Sequence, residues 1–236
     1  LPKTLIIIPA HNEDQNIVQV VENIIKNYSQ YDYVIINDGS SDRTVELCRE
    51  YGYNCISLPI NLGVSAALQT GMKYACEYGY DFALQFDADG QHLPEYIPVL
   101  LATMKKGYDI VIGSRFLEKR KNVSMRMIGS AIISFMIRLT TGKKITDPTS
   151  GMRLYNRKMI YEFASNTNYD PEPDTMAYLI RNNIQITEVQ VEMEERKYGK
   201  SFFNFATSIL YMIQITISIL FVQWIRKREE SNESLS

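Results

Sequence analysis

The seven residues Phe86-Asp87-Ala88-Asp89-Gly90-Gln91-His92 follow the apolar run Phe82-Ala83-Leu84 and are the segment of the chain best equipped for chemistry. A buried strand that ends in two carboxylates, one residue apart, would deliver both to the carboxyl edge of a sheet, the edge at which open α/β sheets bind ligands. Residues i and i+2 of an extended segment point the same way. The spacing therefore predicts that Asp87 and Asp89 reach one hard cation, and the amide oxygen of Gln91 repeats the interval. Oxygen-only ligands favour Mg2+ or Mn2+, ions that keep several waters and bridge to a substrate diphosphate. The other reading of the same residues is a strand end with solvated acids at an Asp-Gly turn.

Four more polar clusters follow strand-like runs: Pro9-Ala10-His11-Asn12-Glu13, Asn37-Asp38-Gly39-Ser40-Ser41-Asp42, Asn61-Leu62-Gly63 and Gly113-Ser114-Arg115. Each alone is ordinary turn and cap chemistry. Polar clusters after five successive strands point instead to one crevice, because those strand ends converge.

The elements that must position these residues are legible as alternating patterns. Short β-rich runs over residues 4–9, 33–37, 54–58, 82–87 and 108–112 predict buried strands. Between them, apolar residues at helical spacing (Ile17, Val18, Val21, Ile24, Ile25 and Tyr28 in the first case) predict amphipathic helices. Ser40, Ser41 and Asp42 offer N-cap chemistry for the second helix, which ends at Gly52; residues 65–78 form the third, and Pro94 opens the fourth. Strands and helices alternating at this pitch predict an α/β fold with a mostly parallel, Rossmann-like central sheet covered on both faces. After Gly113 the pattern loosens: residues 125–139, 156–164 and 174–181 read as helices, residues 146–153 as a polar loop, and residues 186–193 as an edge-like strand with one wet face.

Bulk composition narrows the classes further. The 236 residues suffice for one large domain, or one domain with an appendage, and a full core. The 45% hydrophobic and 22% charged fractions are those of a globular protein, and a net charge of -2 argues against general nucleic-acid binding. Cys48, Cys55 and Cys76 have no metal-ligand spacing and read as reduced, buried thiols of a cytosolic protein. The first residues read as a strand and not as a secretory leader, and the missing initiator Met implies that a few residues have been trimmed.

Residues 203–225 carry no charge and are bracketed by Arg196, Lys197 and Lys200 on one side and Arg226, Lys227 and Arg228 on the other. Asn204, Thr207, Ser208, Gln214 and Ser218 fall on one helical stripe, so the segment reads as an amphipathic helix at a membrane surface. Its length also permits a tilted span, and a helix buried in a homo-oligomer is the third reading. The division expected is a catalytic unit over 1–201, a membrane-associated segment over 202–225 and a charged, disordered tail over 226–236.

Taken in order, these motifs resemble family 2 glycosyltransferases of the GT-A fold, and above all the polyprenyl-phosphate branch that includes dolichol-phosphate mannose synthase and bacterial undecaprenyl-phosphate sugar transferases. The motifs that carry the resemblance are residues 9–13, 37–42, 87–92 and 113–115, together with Asp147-Pro148-Thr149-Ser150-Gly151-Met152-Arg153 and Arg196-Lys197-Tyr198-Gly199-Lys200-Ser201. The resemblance implies that Pro9, Ala10, Glu13 and Asp38 hold the nucleotide, with Ala88 beside it. It implies that Asp87, Asp89 and Gln91 ligate Mg2+ or Mn2+, and that Arg115, Arg126 and Ser130 bind the acceptor phosphate. Arg196 and Lys200 would close over the donor phosphates, their alternative reading being membrane-surface charge. Asp147 is the first candidate for a general base, ahead of Glu172 and Asp174, although Asp147 before Pro148 also suits a turn.

The implied reaction is an inverting, metal-dependent transfer of a hexose from a nucleotide diphosphate sugar to a polyprenyl phosphate at the cytoplasmic membrane face. A UDP-sugar is the first choice of donor and GDP-mannose the second. His11 stands where an aromatic or other residue is common in the family, which leaves the base preference open. Related enzymes often continue into transmembrane helices, so the resemblance implies peripheral attachment or a small membrane partner protein. Transfer to a polysaccharide hydroxyl is the alternative within the class. A nucleotidyltransferase or dehydrogenase is disfavoured because no glycine-rich loop follows the first strand.

Overall fold

Residue alternation in the first strand explains the two-sided architecture of the computed structural model, which describes residues 2–118, 125–166, 169–194 and 205–222. In β1 (Thr4–Ala10), Leu5 and Ile7 face one side of the sheet while Ile6 and Ile8 face the other, and all four are sealed from solvent. Both faces are therefore covered, as the near-continuous apolar runs require. The Ile6/Ile8 face packs under α1 (Ile17–Asn27), the Cys48 side of α2 (Thr44–Glu50) and α4 (Ile97–Met104). The Leu5/Ile7 face packs under α3 (Val64–Glu77), α5 (Met125–Thr141), α6 (Arg157–Ser165) and α7 (Pro173–Arg181).

Besides β1, the sheet contains β2 (Asp32–Asp38), β3 (Cys55–Leu58), β4 (Phe82–Gln85), β5 (Ile110–Ser114), β6 (Arg153–Asn156) and β7 (Ile186–Gln190). The seven strands lie in the order β3-β2-β1-β4-β6-β5-β7, and all pairings are parallel except those of β6, which runs antiparallel between β4 and β5. The expected mostly parallel sheet is present, with β7 at its edge. β6 was not expected, because four residues with a buried arginine at the start show no strand period. The polar loop ends as it begins, and Asn156 then caps α6 by accepting the Met159 N–H at 2.9 Å.

Two further expectations change. Of the three cysteines expected to be buried, Cys48 is buried, Cys55 is half-buried in the short edge strand β3, and Cys76 is exposed on the outward side of α3. In α8 (Phe205–Ile217) and the π-helical turn after it (Ser218–Val222), Ile215 and Ile219 bury into the same core as the Leu5/Ile7 face. Ser218, expected on the polar stripe, turns inward, whereas Leu210, Ile213, Ile217 and Phe221 point outward and Phe221 is 64% exposed. Among the described residues, no helix is long and apolar enough to cross a membrane. The 226–236 tail lies outside the described residues.

Candidate active site

At one end of the crevice, β1 and β2 finish side by side, with Ala10 paired in register with Asn37. The loops beyond them are tied together by polar groups. His11 Nδ1 donates to the Asp38 carbonyl at 2.7 Å, while its Nε2 accepts from the side-chain amides of Asn12 at 3.1 Å and Asn61 at 3.0 Å. Two donors at Nε2 place the ring proton on Nδ1. The buried Asp38 carboxylate accepts the N–H groups of Leu62 at 2.7 Å and Gly63 at 2.8 Å, so it draws the third loop onto the second. Gly39 permits this approach: its φ is +60°, and a Cβ there would lie 2.4 Å from Asn61 N.

The same end gathers Glu13, whose N–H donates to Thr44 Oγ1 at 2.9 Å and whose buried carboxylate accepts from Asn16 Nδ2 at 2.7 Å. Burial alone would raise the Asp42 carboxyl, but the Thr44 hydroxyl and the amides of Thr44 and Asp14 outweigh it and hold it below its usual range. Asn12 was not singled out among the sequence candidates. It adopts a left-handed φ of 55°, and its Oδ1 accepts from Ser41 N at 2.8 Å, Ser41 Oγ at 3.3 Å and Asp42 N at 3.3 Å. Pro9, Ala10, Glu13 and Asp38 are thus assembled around one sheet edge, with Pro9 half-buried and Ala10 buried.

In the middle of the crevice the geometry differs from expectation. β4 stops at Gln85, and residues 87–90 form a turn instead of continuing the strand. The cause is that the Asp87 N–H leaves the ladder and donates to His92 Nδ1 at 2.9 Å. The extended i, i+2 geometry therefore does not set the two aspartates. The Asp87 carboxylate lies against Gly151, while Asp89 Oδ1 accepts the Gln91 N–H at 3.1 Å and Asp89 lines a cleft of about 100 Å3 with Asn16, Asn23, His92 and Glu194. Gln91 Nε2 donates to the Glu194 carbonyl at 3.2 Å. Among the described residues no cage of three or more His, Cys, Asp or Glu side chains occurs. Two carboxylates and one amide oxygen nevertheless fit a hard cation that takes its remaining ligands from a diphosphate and water.

At the other end, Arg115 and Asp147 form a bidentate pair. Arg115 Nε meets Asp147 Oδ2 at 2.6 Å, Nη2 meets Oδ1 at 2.7 Å, and the Arg115 N–H adds a third bond at 3.0 Å. Thr149 Oγ1 donates to the same carboxylate at 3.2 Å, and Ser130 Oγ lies 3.5 Å away. Asp147 is 0% exposed, so its carboxylate is sealed and engaged on both oxygens. Ser130 and Arg115 both reach the Asp147 carboxylate. Arg126 lies in the first turn of α5, but its side chain is outside the described residues, as are Arg196 and Lys200.

Two residues that sequence reasoning missed hold this loop. Glu188 of β7, assigned there to a wet face, accepts the N–H groups of Thr146 at 2.6 Å and Asp147 at 2.8 Å. Arg153 is 2% exposed and donates to the carbonyls of Pro148 at 2.7 Å, Ser150 at 2.8 Å and Pro171 at 2.8 Å. Arg153 closes the 147–153 motif but was given no role there, and its place between Met152 and Leu154 was the signal of burial. Beside the pair opens a cavity of about 280 Å3 lined by Phe116, Met127, Ala131, Phe135, Arg138 and Lys144, among others.

Glu172 and Asp174, at the start of α7, face α8 and the turn after it. Tyr211 donates to Glu172 Oε2, and Ser218 Oγ donates to Asp174 Oδ2 at 2.6 Å. Burial pushes the Glu172 carboxyl up, against the opposing pull of the Tyr211 hydroxyl and the Arg153 charge.

The sequence profile of "Glycosyl transferase family 2" matches residues 5–163. The chain belongs to glycosyltransferase family 2. It is 30% identical over 218 residues to UDP-N-acetylglucosamine--dolichyl-phosphate N-acetylglucosaminyltransferase of Methanococcus voltae, covering 82% of this chain and 86% of that enzyme. It is also 30% identical over 225 residues to undecaprenyl-phosphate 4-deoxy-4-formamido-L-arabinose transferase of Proteus mirabilis, covering 90% of this chain and 66% of that enzyme. Among solved structures, glucosyl-3-phosphoglycerate synthase from Mycobacterium tuberculosis in complex with Mn2+, UDP-glucose and phosphoglyceric acid superposes with a TM-score of 0.69 at 16% identity, covering 97% of this chain and 82% of that one. At that identity the likeness concerns the GT-A fold. This family 2 member is a glycosyltransferase, and distant relatives transfer sugars to polyprenyl phosphates.

Proposed function

We propose that this glycosyltransferase moves a hexose from a nucleotide diphosphate sugar, a UDP-sugar before GDP-mannose, to a polyprenyl phosphate at the cytoplasmic face of a membrane. The observation that carries this reading is the Arg115–Asp147 pair beside a cavity whose walls combine Phe116, Met127 and Phe135 with Arg138 and Lys144. A ligand with an anionic head and an apolar chain suits such a lining. The outward apolar residues of α5 (Ile132, Phe135 and Leu139) and of α8 (Leu210, Ile213 and Ile217) support contact with a lipid surface.

In this reading Pro9, Ala10, Glu13 and Asp38 hold the nucleotide, and Asp87, Asp89 and Gln91 hold Mg2+ or Mn2+. That ion, when bound, supplies positive charge for the leaving diphosphate. Asp147 orients Arg115 toward the acceptor phosphate, with Ser130 beside it. A phosphate with a second pKa of about 6 is ionised at neutral pH, so it needs positioning more than deprotonation. A sealed, fully engaged Asp147 suits that requirement better than it suits a general base for a hydroxyl acceptor. One in-line displacement inverts the anomeric centre.

The test is donor consumption by purified protein with Mn2+ or Mg2+ and undecaprenyl phosphate in detergent, offering UDP-glucose, UDP-GlcNAc or GDP-mannose. Lipid-dependent release of UDP or GDP is expected. Release that depends on a soluble phosphate or hydroxyl acceptor and ignores the lipid would overturn the acceptor assignment, and a product retaining the donor's anomeric configuration would overturn inversion.

A further inference from the structure

His92 spends both ring nitrogens on a single neighbour. Its Nδ1 accepts the Asp87 N–H at 2.9 Å, and its Nε2 lies 3.6 Å from Asp87 Oδ2. Acceptance at Nδ1 places the ring proton on Nε2, so an N–H dipole faces the carboxylate, at a separation longer than a hydrogen bond. The imidazole side chain is 3% exposed, sits edge-on to Phe86 at 5.3 Å and is anchored through a backbone bridge to Met193. Packing alone would be served by an apolar ring, which buries no polar atoms. Gly151 supplies a second wall: a Cβ there would lie 2.4 Å from Asp87 Oδ2 and 3.1 Å from its Cγ, so the carboxylate occupies the space a side chain would need.

We infer that His92 and Gly151 form the seat that fixes the Asp87 carboxylate for a divalent cation, His92 acting as a positioning residue. This rests on reading Asp87 as a cation ligand. A carboxylate already confined to one orientation loses less freedom when it ligates, and groups that orient a ligand typically govern metal affinity by roughly 10–100-fold.

The test is the dissociation constant for Mn2+ of the full chain, read from the free-ion electron paramagnetic resonance signal, together with the Mn2+ activation constant at saturating donor. His92→Phe keeps an aromatic ring against Phe86 and removes both nitrogens; Mn2+ binding should weaken on the order of 10-fold, with the KM for donor at saturating Mn2+ unchanged. His92→Asn retains an acceptor for the Asp87 N–H and should recover part of that loss. Gly151→Ala should weaken Mn2+ binding without touching His92. Asp87→Asn separates the two ideas: unchanged Mn2+ affinity there sinks the metal assignment itself. Weakened binding in Asp87→Asn, with unmodified affinity in a folded His92→Phe, overturns the seat alone. Should His92→Phe not fold, unmodified affinity in both His92→Asn and Gly151→Ala overturns it equally.

Discussion

At the end of the crevice assigned to the nucleotide, carboxylates are satisfied by backbone amides and hydroxyls of neighbouring loops: Asp38 by Leu62 and Gly63, Asp42 by Thr44 and Asp14. At the end assigned to the acceptor, Asp147 is satisfied mainly by a guanidinium, and the loop that carries it is suspended from Glu188 and Arg153. The first arrangement sits on consecutive parallel strands, where each turn arrives next to its neighbour. The second surrounds β6, which runs antiparallel to its neighbours, where the regular strand-helix rhythm stops and long side chains reach across the gap. Amide-held loops can shift locally at modest cost, whereas a sealed ion pair fails as a unit.

This contrast can be broken at either end or between them. The largest effect should come from the centre: Asp89→Ala is expected to lower turnover by about 10³-fold, read as donor consumption, with thermal stability little changed. Next, Arg115→Ala leaves the Asp147 carboxylate buried without its partner and should cost about 3–5 kcal/mol, measured by denaturant unfolding. A loss below about 1 kcal/mol would mean that the two ends are built alike. Gly39→Ala forces a side chain into left-handed backbone against Asn61, a strain of about 1–3 kcal/mol, and should raise the Kd for UDP or GDP while leaving Mn2+ binding intact.

Smaller still is a pH effect at α7. Burial lifts the Glu172 carboxyl above its ordinary 4.5. The folded chain therefore holds that proton more tightly than the unfolded chain, and the group withdraws stability as pH rises above 4.5. Glu172→Gln should flatten that decline in a series of thermal melts; an unaltered slope would show that Glu172 is not the group responsible. The smallest stability change belongs to Phe135→Ser, within about 0.5 kcal/mol because the ring is 60% exposed. The same variant should bind anionic lipid vesicles less well in a flotation assay. Unchanged flotation would remove α5 from the lipid-facing surface.

What each end shows in sequence follows from the same physics. The strand and helix order through β5, and the polar clusters at residues 9–13, 37–42 and 87–92, were readable because burial on both faces imposes local periods and strand ends place motifs in chain order. Asn12 escaped notice because an asparagine in a turn looks ordinary until its φ of 55° and its three donors are seen. Ile215 and Ile219 looked like part of a free amphipathic helix, and only packing reveals that their face belongs to the core.

By itself, the amino-acid sequence determined the α/β class, the two-sided core and which oxygen-bearing side chains stand at strand ends, because these depend on periodicity and on neighbours in the chain. Only the tertiary structure decided that Asp87 leaves its strand for His92, that Asp147 is closed by Arg115, and that Glu188 and Arg153 hold the loop between them. Those contacts join residues that are distant in sequence or turned out of register. Hydrogen-bond geometry and desolvation choose such partners, and neither leaves a period to be read.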